Sequence, residues 1–581
     1  MKTPYPFSRA LVAERTWPFF LDLTVAAGLL AGFYAILWVA KFWFSGAVPE
    51  VEIYRSPSHL PLYAFYSTVR IFVAYLLSLG FAIGYGYIAA YNPRVEALMI
   101  ATLDILQSIP VLSFLPGVML AMMSLFPSRQ LGIEMGAILL IFTGEVWNMA
   151  FSFYSSLKSI PRELREACNI NRFSALQRLF QLELPYATIG LIWNSMVSVA
   201  SGWFFLMICE MFPVGSRNFR LPGLGSYLQT AASNGDYQAM TWGLITMMLI
   251  VVLTDQLLWR PLIAWSDKFK FENVESTERV TSPILHILRN SNMLGVVHRH
   301  GLAPLSEGIY RSLARWEERR SAAVRPPLSS RHRSLAAYVV VGVIVATGIL
   351  LAAFHAVLLL RQIRGHEFLM LLADAAATFL RVNVSLLLAS AWTIPVGVMI
   401  GFHPRLANIT QPLAQIAASF PATALFPVIL VALIRLGLGL GIGSIALMML
   451  GTQWYILFNV IAGAMAIPSD LKEVADLFHF SSLQRWTTVI LPGIFPFLIT
   501  GLVTASGGAW NASIVAEYFH LKNQTLTTVG LGEQISRASD QGNFPLLLAA
   551  TIIMALMVVT INRLVWRPLY RLAETKYRLS G

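Results

Sequence analysis

The sequence predicts an all-α polytopic membrane protein of about twelve transmembrane helices, arranged as two parallel six-helix repeats. Three observations carry that prediction. The 581 residues are 56% hydrophobic and only 12% charged, with a mean hydropathy of +0.64, far from the roughly one-quarter charged content of soluble domains. Twelve apolar stretches approach or exceed the ~20 residues that cross a hydrocarbon core. Finally, one half of the chain repeats in the other at a fixed spacing.

The apolar stretches run over 17–44, 67–91, 97–125, 132–153, 187–209 and 239–263, then 335–361, 375–402, 409–434, 442–464, 494–516 and 546–566. The first is longer than a signal-peptide core, and no small-residue cleavage site precedes Val48-Pro49-Glu50, so it is read as a retained span. The net charge of +12 is concentrated at the chain ends and in the middle. Lys2, Arg9 and Arg15 precede the first span, and Arg567, Arg571, Lys576 and Arg578 follow the last. Residues 260–334 hold a further run from Arg260 to Arg333. Basic flanks of membrane spans mark the cytoplasmic side, which places both termini and the middle segment there. This placement speaks for a lipid bilayer and against nucleic acid as the partner of the charge.

The repeat pairs Pro161 with Pro468, Glu166 with Glu473, Ser174 with Ser481, Gln177 with Gln484, Pro185 with Pro492, Trp203 with Trp510 and Glu210 with Glu517. Gly223-Leu224-Gly225 pairs with Gly530-Leu531-Gly532, and Trp259-Arg260-Pro261 with Trp566-Arg567-Pro568, all 307 residues apart. Upstream, Pro93, Pro110 and Pro116 match Pro404, Pro421 and Pro427 at 311, a four-residue indel. The expected organisation is a first unit at 1–265, a basic cytoplasmic linker at 266–334 and a second unit at 335–581. In each unit one leading span precedes a five-span repeat. An even number of spans per unit makes the repeats parallel.

Between the fourth and fifth spans of each unit lies a polar segment, "LREACNINRFSALQRLFQLELP" and "LKEVADLFHFSSLQRWTTVILP". Apolar residues recur every third position, from Leu164 to Leu182 and from Leu471 to Val489, a stripe on a surface helix. Ser174-x-x-Gln177 and Ser481-x-x-Gln484 fit capping boxes. Each segment therefore reads as two helices meeting at a bend, closed by Leu-Pro at the edge of the next span. One copy would fit a helix lying on the membrane surface. Two matching copies point to a shared docking partner.

These residues resemble the EAA motif of the permease subunits of ABC importers. The motif is carried by Glu166, Ala167, the bend residue Arg172, Leu184 and Pro185, and again by Glu473, Ala475, the bend residue His479, Leu491 and Pro492. The family's usual bend residue is glycine. Positive φ is tolerated moderately by histidine and less by arginine. "GGAWNASIVAEYF" at 507–519 and "GLGEQI" at 530–535 are most similar to the nitrate, sulfonate, taurine and bicarbonate branch. The resemblance implies two permease units fused in one chain with a type I ABC importer-like fold in a bacterial inner membrane. It also implies two separate ATPase subunits, which would carry ATP and magnesium and dock on the two bends. A periplasmic or lipid-anchored solute-binding protein and a small anionic substrate belong to the same expectation.

The chain contains no G-x-x-x-x-G-K-[ST] phosphate loop, so no cofactor is expected on it and energy must come from partners. No catalytic constellation and no metal site is expected. Cys168 and Cys209 read as structural thiols, and His298 with His300 as linker residues. For the pathway the candidates are Trp203, Glu210, Trp510 and Glu517 at the ends of the fifth spans, with Pro110 and Pro421, which would kink the third spans. Glu210 and Glu517 equally fit helix ends at the outer surface. Asp104, Glu134, Glu145, Asp255, Arg381 and Arg435 also lie in apolar stretches, where structural hydrogen bonding is the simpler reading. The competing function is an autonomous carrier or channel driven by an ion gradient, which matched membrane-embedded charges would favour.

Overall fold

In the computed structural model the described residues are 51–269 and 356–576, apart from short breaks, with a few isolated positions between them. The leading stretch 17–44, most of 335–361, nearly all of the linker, and Arg172, His298 and His300 lie outside them. Within these bounds eight helices are long and apolar enough to cross a membrane. In the first half these are α1 (Leu60–Tyr91), α4 (Leu131–Ser159), α6 (Ala175–Cys209) and α8 (Tyr237–Ser266). Their counterparts are α9 (Gly365–Phe402), α12 (Leu440–Ala466), α14 (Ser482–Ala516) and α16 (Phe544–Ala573).

The expected third span of each unit is not one helix. It is divided into α2 (Pro93–Ser108) and α3 (Leu115–Leu125) in the first half, and into α10 (Pro404–Ala418) and α11 (Ala422–Arg435) in the second. Pro110 and Pro421 stand at the breaks in extended conformation, with ψ of 118° and 124°. A proline lacks the N–H of a helix interior and drives its predecessor out of the helical region. The sequence pointed to a kink at these prolines, and the structure has a full break.

The polar segments form α5 (Arg162–Ile170) and α13 (Ser469–Leu477), each followed after a bend by the long helix α6 or α14. Leu184-Pro185 and Leu491-Pro492 do not stop the chain's helix, as expected from sequence, but sit inside it. A π turn precedes each proline, at Leu179–Glu183 and Arg485–Ile490. There Leu184 N–H donates to the Leu179 carbonyl and Leu491 N–H to the Trp486 carbonyl. These wider turns absorb the donor that proline removes. The same device precedes Pro261 and Pro568, at Asp255–Trp259 and Asn562–Trp566.

Two antiparallel hairpins were not foreseen. They are β1 (Met211–Val214) with β2 (Arg217–Arg220), and β3 (Tyr518–Leu521) with β4 (Gln524–Thr527). Each leads to a short helix, α7 (Leu224–Ser233) or α15 (Leu531–Gln541). The bundle thus has a hairpin end and, opposite it, a bend end that carries α5 and α13. The helices pack closely through small residues, as membrane interfaces require. A Cβ on Gly86 would meet Phe153 Cδ1 at 2.9 Å, and one on Gly397, its counterpart, would meet Val460 Cγ1 at 2.8 Å. Cys168 and Cys209 are buried and free.

Candidate functional site

At the hairpin end, Glu210 and Glu517 cap α6 and α14 and are fully buried. Glu210 accepts from Ser67 Oγ at 2.6 Å, from Arg70 Nη1 at 2.7 Å and from Gly225 N–H at 2.7 Å. Glu517 accepts from Thr378 Oγ1 at 2.9 Å, from Arg381 Nη1 at 2.9 Å and from Gly532 N–H at 2.8 Å. Ser67 and Thr378 in turn accept from Leu224 and Leu531 N–H at 2.9 and 2.8 Å. This geometry accounts for both Gly-Leu-Gly motifs. A Cβ on Gly223 would fall 2.2 Å from Glu210 Oε1, and one on Gly530 would fall 2.2 Å from Glu517 Oε2. Only glycine lets the backbone approach the carboxylate so closely.

The arrangement pins the first long helix of each repeat to the hairpin end, and Glu210 and Glu517 serve it. They line no part of the central cavity described below, and neither do Trp203 and Trp510, which are buried in the core. Sequence reasoning overlooked Arg70. The 311 spacing that pairs the prolines also pairs Arg70 with Arg381 and Ser67 with Thr378. Glu134 joins the first pin, accepting from Arg70 Nε and Nη2 at 2.5 and 2.7 Å. Asp255 pairs with Arg260 at 3.4 Å. Glu145 is buried with both carboxyl oxygens unpartnered among the described residues, against Gly202.

At the bend end, α5 and α13 terminate in matching wide turns. Phe173 N–H donates to the Cys168 carbonyl at 2.9 Å, and Phe480 N–H to the Ala475 carbonyl at 3.0 Å. This six-to-one bond needs a left-handed residue just before its donor. His479 supplies it with φ of +50°. Both capping boxes form: Ser174 N–H donates to Gln177 Oε1 at 2.9 Å, and Ser481 N–H to Gln484 Oε1 at 2.8 Å.

The apolar stripe divides between two roles. Cys168 and Leu182 are buried and Leu164 and Leu179 half-buried against the bundle, in a cluster with Met149 and Phe153. Ile170 is 80% exposed, Leu477 75%, Phe478 68% and Leu483 74%. Glu166, Ala167 and Glu473 are exposed, and neither glutamate makes an ion pair among the described residues. Ala475 is buried, Leu184, Pro185 and Pro492 are half-buried, and His479 and Leu491 are exposed. The two elbows thus present unpartnered apolar side chains at one end of the molecule, a feature of interaction surfaces.

Between the halves lies a cavity of about 1080 Å³. Residues from Thr143 to Ser159 of α4 form one wall; Pro421, Tyr455 and Thr504 belong to the other half. Ser201 Oγ and the Tyr455 hydroxyl approach to 3.4 Å across the seam, and Thr551 Oγ1 donates to the Ser113 carbonyl at 3.2 Å. The lining is buried toward the hairpin end, at Val111, Phe205 and Ala422, and exposed toward the bend end, at Ser155, Arg563 and Arg567. The cavity therefore communicates with the bend end. Pro421 lines it; Pro110 is buried beside the lining residue Val111.

Comparison with known proteins adds an independent observation. A family model described as binding-protein-dependent transport system inner membrane component matches residues 82–258 and again 393–572. The nitrate import permease protein of Leptolyngbya laminosa is 29% identical over 190 residues, 33% of this chain and 64% of that protein. The bicarbonate transport system permease protein of Synechococcus elongatus is 30% identical over 141 residues, 24% of this chain and 49% of the relative. The taurine transport system permease protein of Escherichia coli is 26% identical over 182 residues, 31% and 62% of the two chains. Each match spans less than two thirds of the relative's length.

Proposed function

The chain belongs to the family of binding-protein-dependent transport system inner membrane components, and from that premise we propose that it is the fused translocation pair of an ATP-driven importer. Two permease units stand in one polypeptide, and the cargo is a small anion of the nitrate, bicarbonate or sulfonate kind. The observation that carries the reading is the pair of elbows at α5 and α13. Both expose apolar side chains at the end where the central cavity opens.

Two separate ATPase subunits, holding ATP and magnesium, dock on Glu166, Ala167 and Ile170 and on Glu473, Leu477 and Phe478. Burial of the exposed apolar surface supplies most of the affinity. The two glutamates, free of internal ion pairs among the described residues, supply charge complementarity. Because α5 leads into α6 and α13 into α14 through rigid capped bends, a displacement of either elbow is transmitted into a cavity-lining helix. Closure of the ATPases would draw the elbows together and move the halves as rigid bodies about the seam. A solute-binding protein would deliver cargo at the hairpin end. The protein would sit in a bacterial cytoplasmic membrane with both termini inside, and the hydrolysis would be the partners' work.

The test is co-purification of the full chain with candidate ATPase subunits in detergent, beside a Glu166→Ala plus Glu473→Ala variant. Stable binding by the parent and its loss in the variant supports the docking role. Gradient-driven uptake by the chain alone would establish an autonomous carrier instead.

A further inference from the structure

The last turns of α8 and α16 are equivalent in sequence position but differ in charge. In the first half Asp255 pairs with Arg260, leaving that stretch neutral. At the matching positions Asn562 replaces Asp255, so Arg567 has no such carboxylate. Arg563 replaces Gln256, and Arg571 replaces Ala264. Only the second-half stretch lines the central cavity, where Arg563, Arg567 and Arg571 stand on successive turns of α16. Among the described residues the cavity lining contains no aspartate or glutamate. Trp566, between the arginines, has an indole N–H that is buried without an acceptor among the described residues.

Across the cavity, α4 contributes Ser152, Ser155 and Ser156. Their counterparts in the second half are Asn459, Ala462 and Gly463, which are absent from the lining. The first half thus supplies a serine wall, and the second supplies the guanidinium groups together with the Tyr570 hydroxyl between them. A basic flank serving membrane orientation alone would not require the pairing acid to be missing from the half that faces the cavity, nor the charges to line it.

We infer that the cavity mouth at the bend end is an anion site, formed by Arg563 and Arg567 of the second half opposite the serines of α4, through which an oxyanion such as nitrate passes. Guanidinium groups suit planar oxyanions because their N–H donors form a fixed fork, and a cleft lined by one sign of charge concentrates counter-ions within it. The site is asymmetric by construction. Among the described residues the first half contributes no cation to it, so the duplicated units perform different tasks at the mouth. The importer reading supplies only the direction of movement, and the site itself rests on the cavity.

The experiment places Ser155→Cys on the serine wall of the full chain in detergent; the native thiols Cys168 and Cys209 are buried. Rates of modification are compared for a thiosulfonate carrying a sulfonate and one carrying a trimethylammonium group. With Arg563→Gln and Arg567→Gln introduced together, the anionic-to-cationic rate ratio is expected to fall about tenfold or more. Asn562→Asp, which recreates the first-half ion pair, is expected to lower the ratio several-fold with every arginine in place. Gln256→Arg, outside the cavity, leaves it unchanged. Sodium nitrate slows the anionic reagent in the parent and not in the arginine variant. A ratio unmoved by both the double variant and Asn562→Asp overturns the proposal, as does equal nitrate protection with and without the arginines. None of these readouts involves an ATPase. Failed ATPase docking with an arginine-dependent ratio would remove the importer reading and leave the anion site. The converse result would do the opposite.

Discussion

In the first half Arg70 is enclosed between Glu134 and Glu210 with no exposed surface, whereas Arg381 pairs with one carboxylate, Glu517, donates also to the Val529 carbonyl and Thr528 Oγ1, and keeps 14% of its side chain exposed. At the opposite end the contrast runs the same way. The elbow of the first half is tied to the bundle through Arg178, Glu183 and Tyr91, with Arg178 Nε donating to Glu183 Oε1 at 2.8 Å. The second elbow pairs Arg485 with the exposed Asp476 of α13 itself and leaves Leu477, Phe478 and Leu483 in the open. A duplicated backbone has preserved the hydrogen-bond scaffold at both ends while the side chains around it diverged. The first half is the more internally anchored, and the second presents the larger contact surface and the arginines that line the cavity.

The largest expected effect tests the pins. Arg70→Ala leaves two buried carboxylates without their cation, a change that costs about 3–5 kcal/mol. Arg381→Ala strands one carboxylate beside a partly exposed site and should cost clearly less. Thermal unfolding of the two variants in detergent measures the difference, and equal losses would erase the asymmetry.

Next come the elbows. Leu477→Ser with Phe478→Ser is expected to weaken ATPase binding about tenfold or more, as removal of central apolar anchors does. Ile170→Ser should weaken it less, because the first elbow offers less exposed apolar surface. Titration of labelled ATPase onto each variant decides the order, and a larger loss from Ile170→Ser would reverse the comparison.

A smaller and symmetric effect is expected from the caps. Ser174→Ala and Ser481→Ala each remove one half of a capping box, at about 1 kcal/mol. Hydrogen exchange over residues 174–178 and 481–485 should rise in both. The smallest effect is a gain: His479→Gly relieves positive φ at an exposed position and should stabilise the second bend by about 0.5 kcal/mol, seen as slower exchange over 475–481.

Much of this was legible in the sequence wherever the governing rule is short in range. The bends could be placed because a serine and a glutamine three residues apart satisfy each other within one turn. His479 could be marked because it stands where the resembling motif usually has glycine, the residue that takes positive φ without penalty. The break at Pro110 was underestimated as a kink because the tertiary packing of two short helices determines how far a proline-interrupted helix separates. The Leu-Pro motifs were misjudged for a related reason, since a π turn before the proline keeps the helix continuous. The hairpins escaped notice because four-residue strands inside a helical membrane protein have too few residues to show a period of two.

By itself, then, the sequence determined the membrane class, the duplication, the bends and their caps, since composition, internal spacing and one-turn hydrogen bonds are all local or self-referential. Only the tertiary structure decided that Glu210 and Glu517 are pins, that the first apolar stripe turns Leu182 inward while the second leaves Leu471, Val474, Leu477 and Leu483 exposed, and that Arg563 and Arg567 line a cavity beside the serines of α4. The physical reason is distance along the chain. Ser67 and Arg70 reach Glu210 across 143 and 140 residues, and the serines of α4 are brought opposite the arginines of α16 only when the two halves close on each other.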